Sequence, residues 1–233
     1  MKVCHLTSAH TNSDIRIFVK ECCSLADAGY ETYLVAEGES REEHGVHVIG
    51  VGKPGAGRRN RMTVFSKTVY ETAKALRCDV YHFHDPELLP YGLKLKKAGA
   101  HVIFDSHEDV PAQILDKQWI PAPLRKVTAR IYRSYETRVV KRLDAVVAAT
   151  PYIAKQFEGR AKRVVVVNNY PRLDDIQFHD TPFEQREPVV CYAGGISEIR
   201  GEKVMVEAMK DVKGTLVLAG PREKSAGGDT GAL

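Results

Sequence analysis

The stretch Val102–Asp109 reads V-I-F-D-S-H-E-D: a short apolar run, then Asp105, His107, Glu108 and Asp109 crowded into the turn that follows. Open α/β sheets bind ligands in the crevice outside the carboxyl ends of their strands. A titratable cluster at such a place is therefore a candidate site. Val80–Glu87, V-Y-H-F-H-D-P-E, makes the same move earlier in the chain: a strand, then His84, Asp85 and Glu87. Two neighbouring strands ending in acids and histidines point to one shared pocket.

Working outward, Lys2–Thr7 reads as a buried strand, residues 8–13 as a polar loop, and Asp14–Ala28 as a helix. In that helix Ile15, Phe18, Val19, Cys22 and Leu25 recur at helical spacing, and Gly29 stops it at a left-handed C′ position. Further strands are expected at Glu31–Ala36, Val46–Val51, Asp79–Phe83, His101–Phe104, Ala145–Ala149 and Val164–Val167. Helices are expected at Thr63–Leu76, from Asp85-Pro86 to Ala98, from Pro123 to Leu143, and from Thr150-Pro151 onward. In Asp85-Pro86 and Thr150-Pro151 a capping side chain precedes a proline at the first helical position. Gly52–Arg61 and Ser106–Ala122 read as loops. Near-continuous apolar strands alternating with helices predict an α/β fold, a doubly wound parallel sheet covered on both faces.

Residues 1–170 complete that Rossmann-like pattern. Residues 171–188, with Pro171, Pro182, Pro188 and many charges, read as a linker. A fresh strand at Val189–Ala193, a turn at Gly194-Gly195, a helix from Glu202 to Met209 and a strand at Thr215–Ala219 then open a second Rossmann-like domain over residues 189–233. A single βαβ unit cannot cover both faces of its sheet, so this domain is expected to be incomplete, and its exposed strand edges to dock on the first domain, pair with another copy or be mobile.

The composition of the 233 residues, 43% hydrophobic and 27% charged with net charge +4, is that of an ordinary globular protein and gives no argument for nucleic acid. The five cysteines (Cys4, Cys22, Cys23, Cys78, Cys191) form no C-x-x-C pair and read as reduced core residues. The opening M-K-V-C-H-L-T enters a strand directly, unlike a signal peptide, and no apolar run approaches the roughly 18–20 residues that cross a bilayer. A cytoplasmic protein is expected.

A histidine at a strand end, such as His107, can exchange a proton with a substrate hydroxyl near neutral pH. The rival chemistry is a zinc or manganese site made of His82, His84, Asp85, His107 and Glu108. His82, mid-strand, is expected to pack instead, so no metal is expected. The first loop, T-S-A-H-T-N-S-D-I-R, has no glycine to admit a phosphate, which argues against a dinucleotide site. His10, Asp14 and Arg16 are its candidate contacts for a polar acceptor, with helix capping the competing role for Asp14. Gly194 and Gly195, before a helix, are a phosphate-loop signal, with Arg200 placed to pair with the anion. The helix from Leu124 to Leu143 carries an apolar stripe (Leu124, Val127, Ile131, Tyr135, Val139, Leu143), read as facing the core, and a basic back. That back could also rest on anionic headgroups at the inner membrane face.

Taken together, the ordered segments D-I-R-I-F-V-K-E and L-A-D-A-G-Y (14–30), V-Y-H-F-H-D-P-E-L-L (80–89), V-I-F-D-S-H-E (102–108), L-D-A-V-V-A-A-T-P (143–151), V-V-V-V-N-N-Y-P (164–171) and C-Y-A-G-G-I-S-E-I-R-G (191–201) resemble GT-B glycosyltransferases of family 4. The resemblance implies retaining transfer from a nucleotide sugar to a saccharide or lipid-linked acceptor, with no cofactor beyond that co-substrate. It implies His107 beside the transferred sugar, His10, Asp14, Arg16, His84, Asp85, Glu87 and Glu108 on the substrate side, and Gly194, Gly195 and Arg200 near the donor diphosphate. The chain departs from the pattern in lacking a glycine-rich first loop and in having Gly195 where many relatives carry arginine. The family's Glu-x7-Glu segment is expected past Leu233, so weak or no transfer is expected of this chain alone. Two other readings stand beside this one: an inert acceptor- or partner-binding module, and a metal-dependent hydrolase.

Overall fold

An eight-stranded sheet organises the computed structural model, which describes residues 1–117, 120–173 and 181–222 and divides into two units, Met1–Tyr170 and Pro171–Leu233. The strands of the first unit are β1 (Lys2–Thr11), β2 (Glu31–Glu37), β3 (Arg41–Glu43), β4 (Val46–Gly50), β5 (Val80–Phe83), β6 (His101–Ser106), β7 (Ala145–Ala148) and β8 (Val164–Val166). Their order is β3-β4-β2-β1-β5-β6-β7-β8. Every pair is parallel except β3 with β4. The short charged strand β3, R-E-E, has no apolar periodicity to announce it, and it ends the sheet as an antiparallel edge.

Alternation along the strands divides the interior in two. One face turns Cys4, Leu6, Val35, Tyr81, Phe83, Val102, Phe104 and Val146 into the main core, against α3 (Ser66–Ala75), α4 (Leu89–Lys97), α6 (Ala122–Val140) and α7 (Pro151–Phe157). Phe83 and Phe104 stack there with ring centroids 4.9 Å apart. Gly92 of α4 lies so close that a Cβ would come within 2.5 Å of Phe83 Cε1, so the helix approaches the sheet only without a side chain there. The opposite face carries Leu34 and Ala36 into a second cluster with Ile17, Phe18 and Cys22. On that same face β1 and β5 present His5 and His82, which are register partners.

The element covering that second face is not the α-helix expected. Ile15–Cys22 is wound as a π-helix, and only Cys23–Asp27 (α1) is α-helical. The Asp14 carbonyl accepts from the amides of both Phe18 (2.9 Å) and Val19 (3.4 Å). A wider turn puts residues five apart in line, so Arg16 and Glu21 both point inward while Ile15, expected in the core, is 65% exposed.

Other boundaries also move. β1 continues through the expected loop to Thr11, which pairs with Glu37 after a register shift. The expected 52–61 loop is helical at Arg58–Asn60 (α2), leading into a π turn at Arg61–Phe65. The expected 106–122 loop contains α5 (Val110–Asp116), capped by Asp109. Thr150 caps α7 as expected, its hydroxyl accepting from the Ile153 amide at 3.2 Å. Asp85 caps nothing: the turn Pro86–Leu88 begins without its side chain.

In α6 the inward positions are Ala129, Glu136, Val139 and Val140. Relative to the stripe expected in the core, the buried face is rotated by one residue, about 100° of helix. Val139 and Leu143 are buried, but Leu124, Val127, Ile131 and Tyr135 face solvent. Glu136 turns inward because Arg160 meets it at 2.6 Å.

In the second unit β9 (Val189–Ala193) and β10 (Thr215–Ala219) form a two-stranded parallel sheet, with α8 (Glu202–Ala208) between them in sequence. Cys191, expected in a core, is exposed on β9, whereas Cys4, Cys22 and Cys78 are buried. Part of the expected linker, 174–180, and the Gly/Ser-rich stretch 225–233 lie outside the described residues.

Candidate functional site

A cleft of about 570 Å³ opens at the carboxyl edge of the first unit's sheet, lined by His10, Asp14, Arg16, His107, Thr150 and Asn168 among others. Two imidazoles dominate its mouth. His10 and His107 meet edge to face with ring centroids 5.2 Å apart. Each is backed by a different buried carboxylate.

Behind His10 stands Asp85. Its Oδ1 is 3.3 Å from His10 Nδ1, while Oδ2 accepts from the Thr7 hydroxyl (2.7 Å) and the amides of Ser8 (2.6 Å) and Ala9 (3.2 Å). These bonds explain why Asp85 leaves its helix uncapped: the tip of β1 offers it more donors. Burial alone would raise its carboxyl, but the hydrogen bonds from His10, Thr7 and the Ser8 amide win and hold it at about 2. The bond to Asp85 in turn raises His10 above the ordinary histidine value, against the opposing effect of burial.

Behind His107 stands Asp105, fully buried, its Oδ1 3.9 Å from His107 Nδ1. Burial favours its neutral form, yet the imidazoles of His107 and His84 outweigh this and hold the carboxyl far below the usual range. Arg16 completes the floor. Its Nη2 donates to Asp105 Oδ2 at 2.8 Å, its Nε to the same oxygen at 3.2 Å, and its Nη1 to the Val167 carbonyl at 3.0 Å. Asp14 is the helix cap, accepting from the amides of Arg16 and Ile17, both at 2.9 Å. Lys20 fixes the far wall by donating to Asn169 Oδ1 (2.8 Å) and the Tyr170 carbonyl (2.6 Å).

The structure thus brings His10, Asp14, Arg16 and His107 onto the cleft, with Asp85 directly behind. His84 is buried beneath the floor, its Nδ1 3.6 Å from Asp105 Oδ2. Glu87 and Glu108 are not part of the cleft lining: Glu87 pairs with Arg61 at 3.3 Å, and Glu108 is exposed beside a small separate crevice. The metal-ligand set read from sequence therefore does not converge, because Asp85 is taken up by β1 and Glu108 points elsewhere. Among the described residues, the group that does converge is His5, Glu21, His82 and His84. His82 joins it because residues two apart on a strand share a face, so it lies on the side of His84.

Sequence reading missed His5, Glu21, Thr7 and the wall at Asn168–Tyr170. The strand motif C-H-L-T and the segment V-V-V-V-N-N-Y-P were visible signals, but only strand register and the π-turn join them to the site.

In the second unit, Gly194 has φ 151° and its amide donates to the Ala219 carbonyl at 2.8 Å; the Ile196 amide donates to the Pro221 carbonyl at 2.9 Å. These amides are committed to the sheet's edge and are not open to an anion. A 3-10 turn, Glu198–Arg200, separates the glycines from α8, so the turn does not run straight into a helix. A Cβ at Gly195 would lie 3.8 Å from Arg200 Nε, which places the exposed arginine beside the glycine turn.

A mostly parallel sheet flanked by helices, with a cleft at its carboxyl edge, is the Rossmann-like arrangement of GT-B glycosyltransferases. The fold is similar to that of sucrose-phosphate synthase from Thermosynechococcus elongatus (TM-score 0.69, 15% identity, covering 97% of this chain and 64% of that one). It is also similar to Anabaena HepE, solved in complex with UDP and glucose (0.66, 14%, 96% and 62%), and to the lipopolysaccharide outer core galactosyltransferase WaaB (0.51, 13%, 94% and 60%). This chain spans less than two thirds of the length of each. The Glycosyltransferase Family 4 profile matches residues 18–170. The chain belongs to that family. No curated protein gives a significant match.

Proposed function

We propose that this chain forms the acceptor side of a retaining glycosyltransferase that moves a sugar from a nucleotide sugar to a saccharide or lipid-linked acceptor, without a catalytic cofactor. The observation that carries the reading is the pair of carboxylate-backed imidazoles, His10 and His107, at the cleft mouth; His107 and both carboxylates fall inside the segment 18–170 matched by the family, and His10 precedes it. In this reading His107 lies beside the transferred sugar. His10, which Asp85 biases toward its protonated form, contacts an acceptor oxygen, and Arg16 keeps the floor charged and rigid. In the second unit the exposed Arg200, beside Gly195, serves the donor diphosphate, whose departure is helped by fixed positive charge, while the Gly194 amide stays with the sheet.

Labelled UDP- and GDP-sugars offered with saccharide and lipid-extract acceptors test this. Saturable nucleotide-sugar binding with at most weak transfer is expected of this chain by itself, and His107→Ala is expected to lower that transfer about a hundredfold or more. Absence of both transfer and saturable nucleotide binding overturns the proposal.

A lipid-linked acceptor is supported by α6. Its solvent-facing Leu124, Val127 and Ile131, each more than half exposed, share the helix with exposed Lys126, Arg130, Arg133 and Arg138. Apolar and cationic groups together suit peripheral contact with an anionic membrane surface. Among the described residues, no helix is long and apolar enough to cross a membrane. In the second unit Val189, Val190 and Val217 remain 42–48% exposed on a two-stranded sheet, which supports self-association there, measurable by light scattering.

A further inference from the structure

Beneath the cleft floor, outside the residues that line it, three imidazoles and a carboxylate face one another. His5 of β1 and His82 of β5 are opposite each other in register, and His84 follows on the same side of β5. Glu21 descends onto them from the π-wound segment. One ligand atom from each of the four lies within 4.8 Å of all the others. His5 Nδ1 and His84 Nε2 are 3.0 Å apart, and Glu21 Oε2 is 3.7 Å from the first and 3.8 Å from the second. Tetrahedral sites with metal–ligand bonds of about 2.0–2.1 Å have neighbouring ligand atoms roughly 3.3 Å apart. The observed triangle has the size of one face of such a site.

The surroundings favour a cation. The three histidines are at most 8% exposed, and neither oxygen of the largely buried Glu21 has a hydrogen-bond partner. Arg16, 3.1 Å from Glu21 Oε1, is shared with Asp105. A divalent ion at the centre would give these four converging ligand atoms, the Glu21 oxygen among them, a common partner.

We propose that His5, Glu21, His82 and His84 form a closed, structural binding site for one divalent transition-metal ion, with zinc the ion this three-nitrogen, one-oxygen set suits best. The site ties β1, β5 and the π-wound segment together below the cleft. Asp105 is its outer partner, 3.6 Å from the far nitrogen of His84, and so links the site to Arg16 and His107.

The test uses the full chain, purified without a metal-binding tag, its metal content measured by mass spectrometry. The metal-free chain is then titrated with zinc chloride against a chromophoric chelator. One tightly held equivalent is expected, with a melting temperature that falls on chelation and recovers with zinc. Cobalt substitution should give the intense visible bands of four-coordinate cobalt. His82→Gln and Glu21→Gln should each weaken zinc binding at least about tenfold, while the exposed His101→Gln should not. If those two variants do not fold, X-ray absorption of the wild-type zinc form decides, with three imidazoles and one oxygen expected. Failure of the wild type to hold zinc against the chelator, six-coordinate cobalt, a shell with fewer than three imidazoles, or undiminished binding by folded His82→Gln overturns the proposal.

Discussion

His10 and His107 stand edge to face, 5.2 Å between ring centroids, yet they draw on two different carboxylates from two different strand ends. Asp85 lies behind one and Asp105 behind the other. The two rings therefore sit in separate electrostatic surroundings across one small opening, and each can be probed by itself.

The Asp85–His10 pair predicts a specific pH dependence. Asp85 titrates at about 2 in the folded chain, below the unfolded carboxylate value near 3.9, so its contribution to stability is complete above roughly pH 4–5 and is lost as pH falls toward 2. The shift corresponds to about 2–3 kcal/mol. His10 behaves oppositely: its raised value adds stability that is full below about pH 6.5 and is lost as pH rises through the folded value. Urea melts of wild type and Asp85→Asn between pH 2 and 9 check both signs. The variant should lose part of the acid-side slope, the remainder belonging to Asp105, and NMR titration should show His10 moving back toward the ordinary histidine value.

The Arg16–Asp105 pair is buried on both sides, at 8% and 0% side-chain exposure. Removing one member leaves an uncompensated charge, which costs on the order of 3–5 kcal/mol. Asp105→Ala should therefore lower the unfolding free energy by about that amount in denaturant titrations. The Arg16→Met, Asp105→Leu double variant should recover most of the loss, because apolar residues of similar size often replace a buried ion pair at little cost. A double variant no more stable than Asp105→Ala would show that the stabilisation does not come from the charge pair.

The exposed stripe of α6 separates a membrane role from a folding role. Val127→Glu and Ile131→Glu change residues that are 55% and 65% exposed, so stability should move by no more than about 0.5 kcal/mol. Binding to vesicles containing anionic lipid should fall sharply in both, and wild-type binding should weaken as salt rises. Equal sedimentation of wild type and variants with such vesicles would exclude this face as the contact.

The local order of the chain was legible in its residues. Apolar runs marked the parallel strands, Gly29 marked a helix end, Thr150-Pro151 marked a cap, and the ordered motifs pointed to the family. His10, Asp14, Arg16 and His107 were nameable because they fall next to strand and helix ends. What stayed hidden depended on partners far apart in sequence. Asp85 looked like a helix cap until the tip of β1, 76–78 positions away, offered better donors. Glu21 went unread because only a π-turn in place of a 3.6-residue turn carries it inward beside Arg16. The α6 stripe looked like core until Glu136 found Arg160 and rotated the buried face by one residue. Periodicity reports which residues could share a face; which face is buried, and which charge meets which, is decided by the competition among donors, acceptors and apolar surface that exists only once the strands are in register.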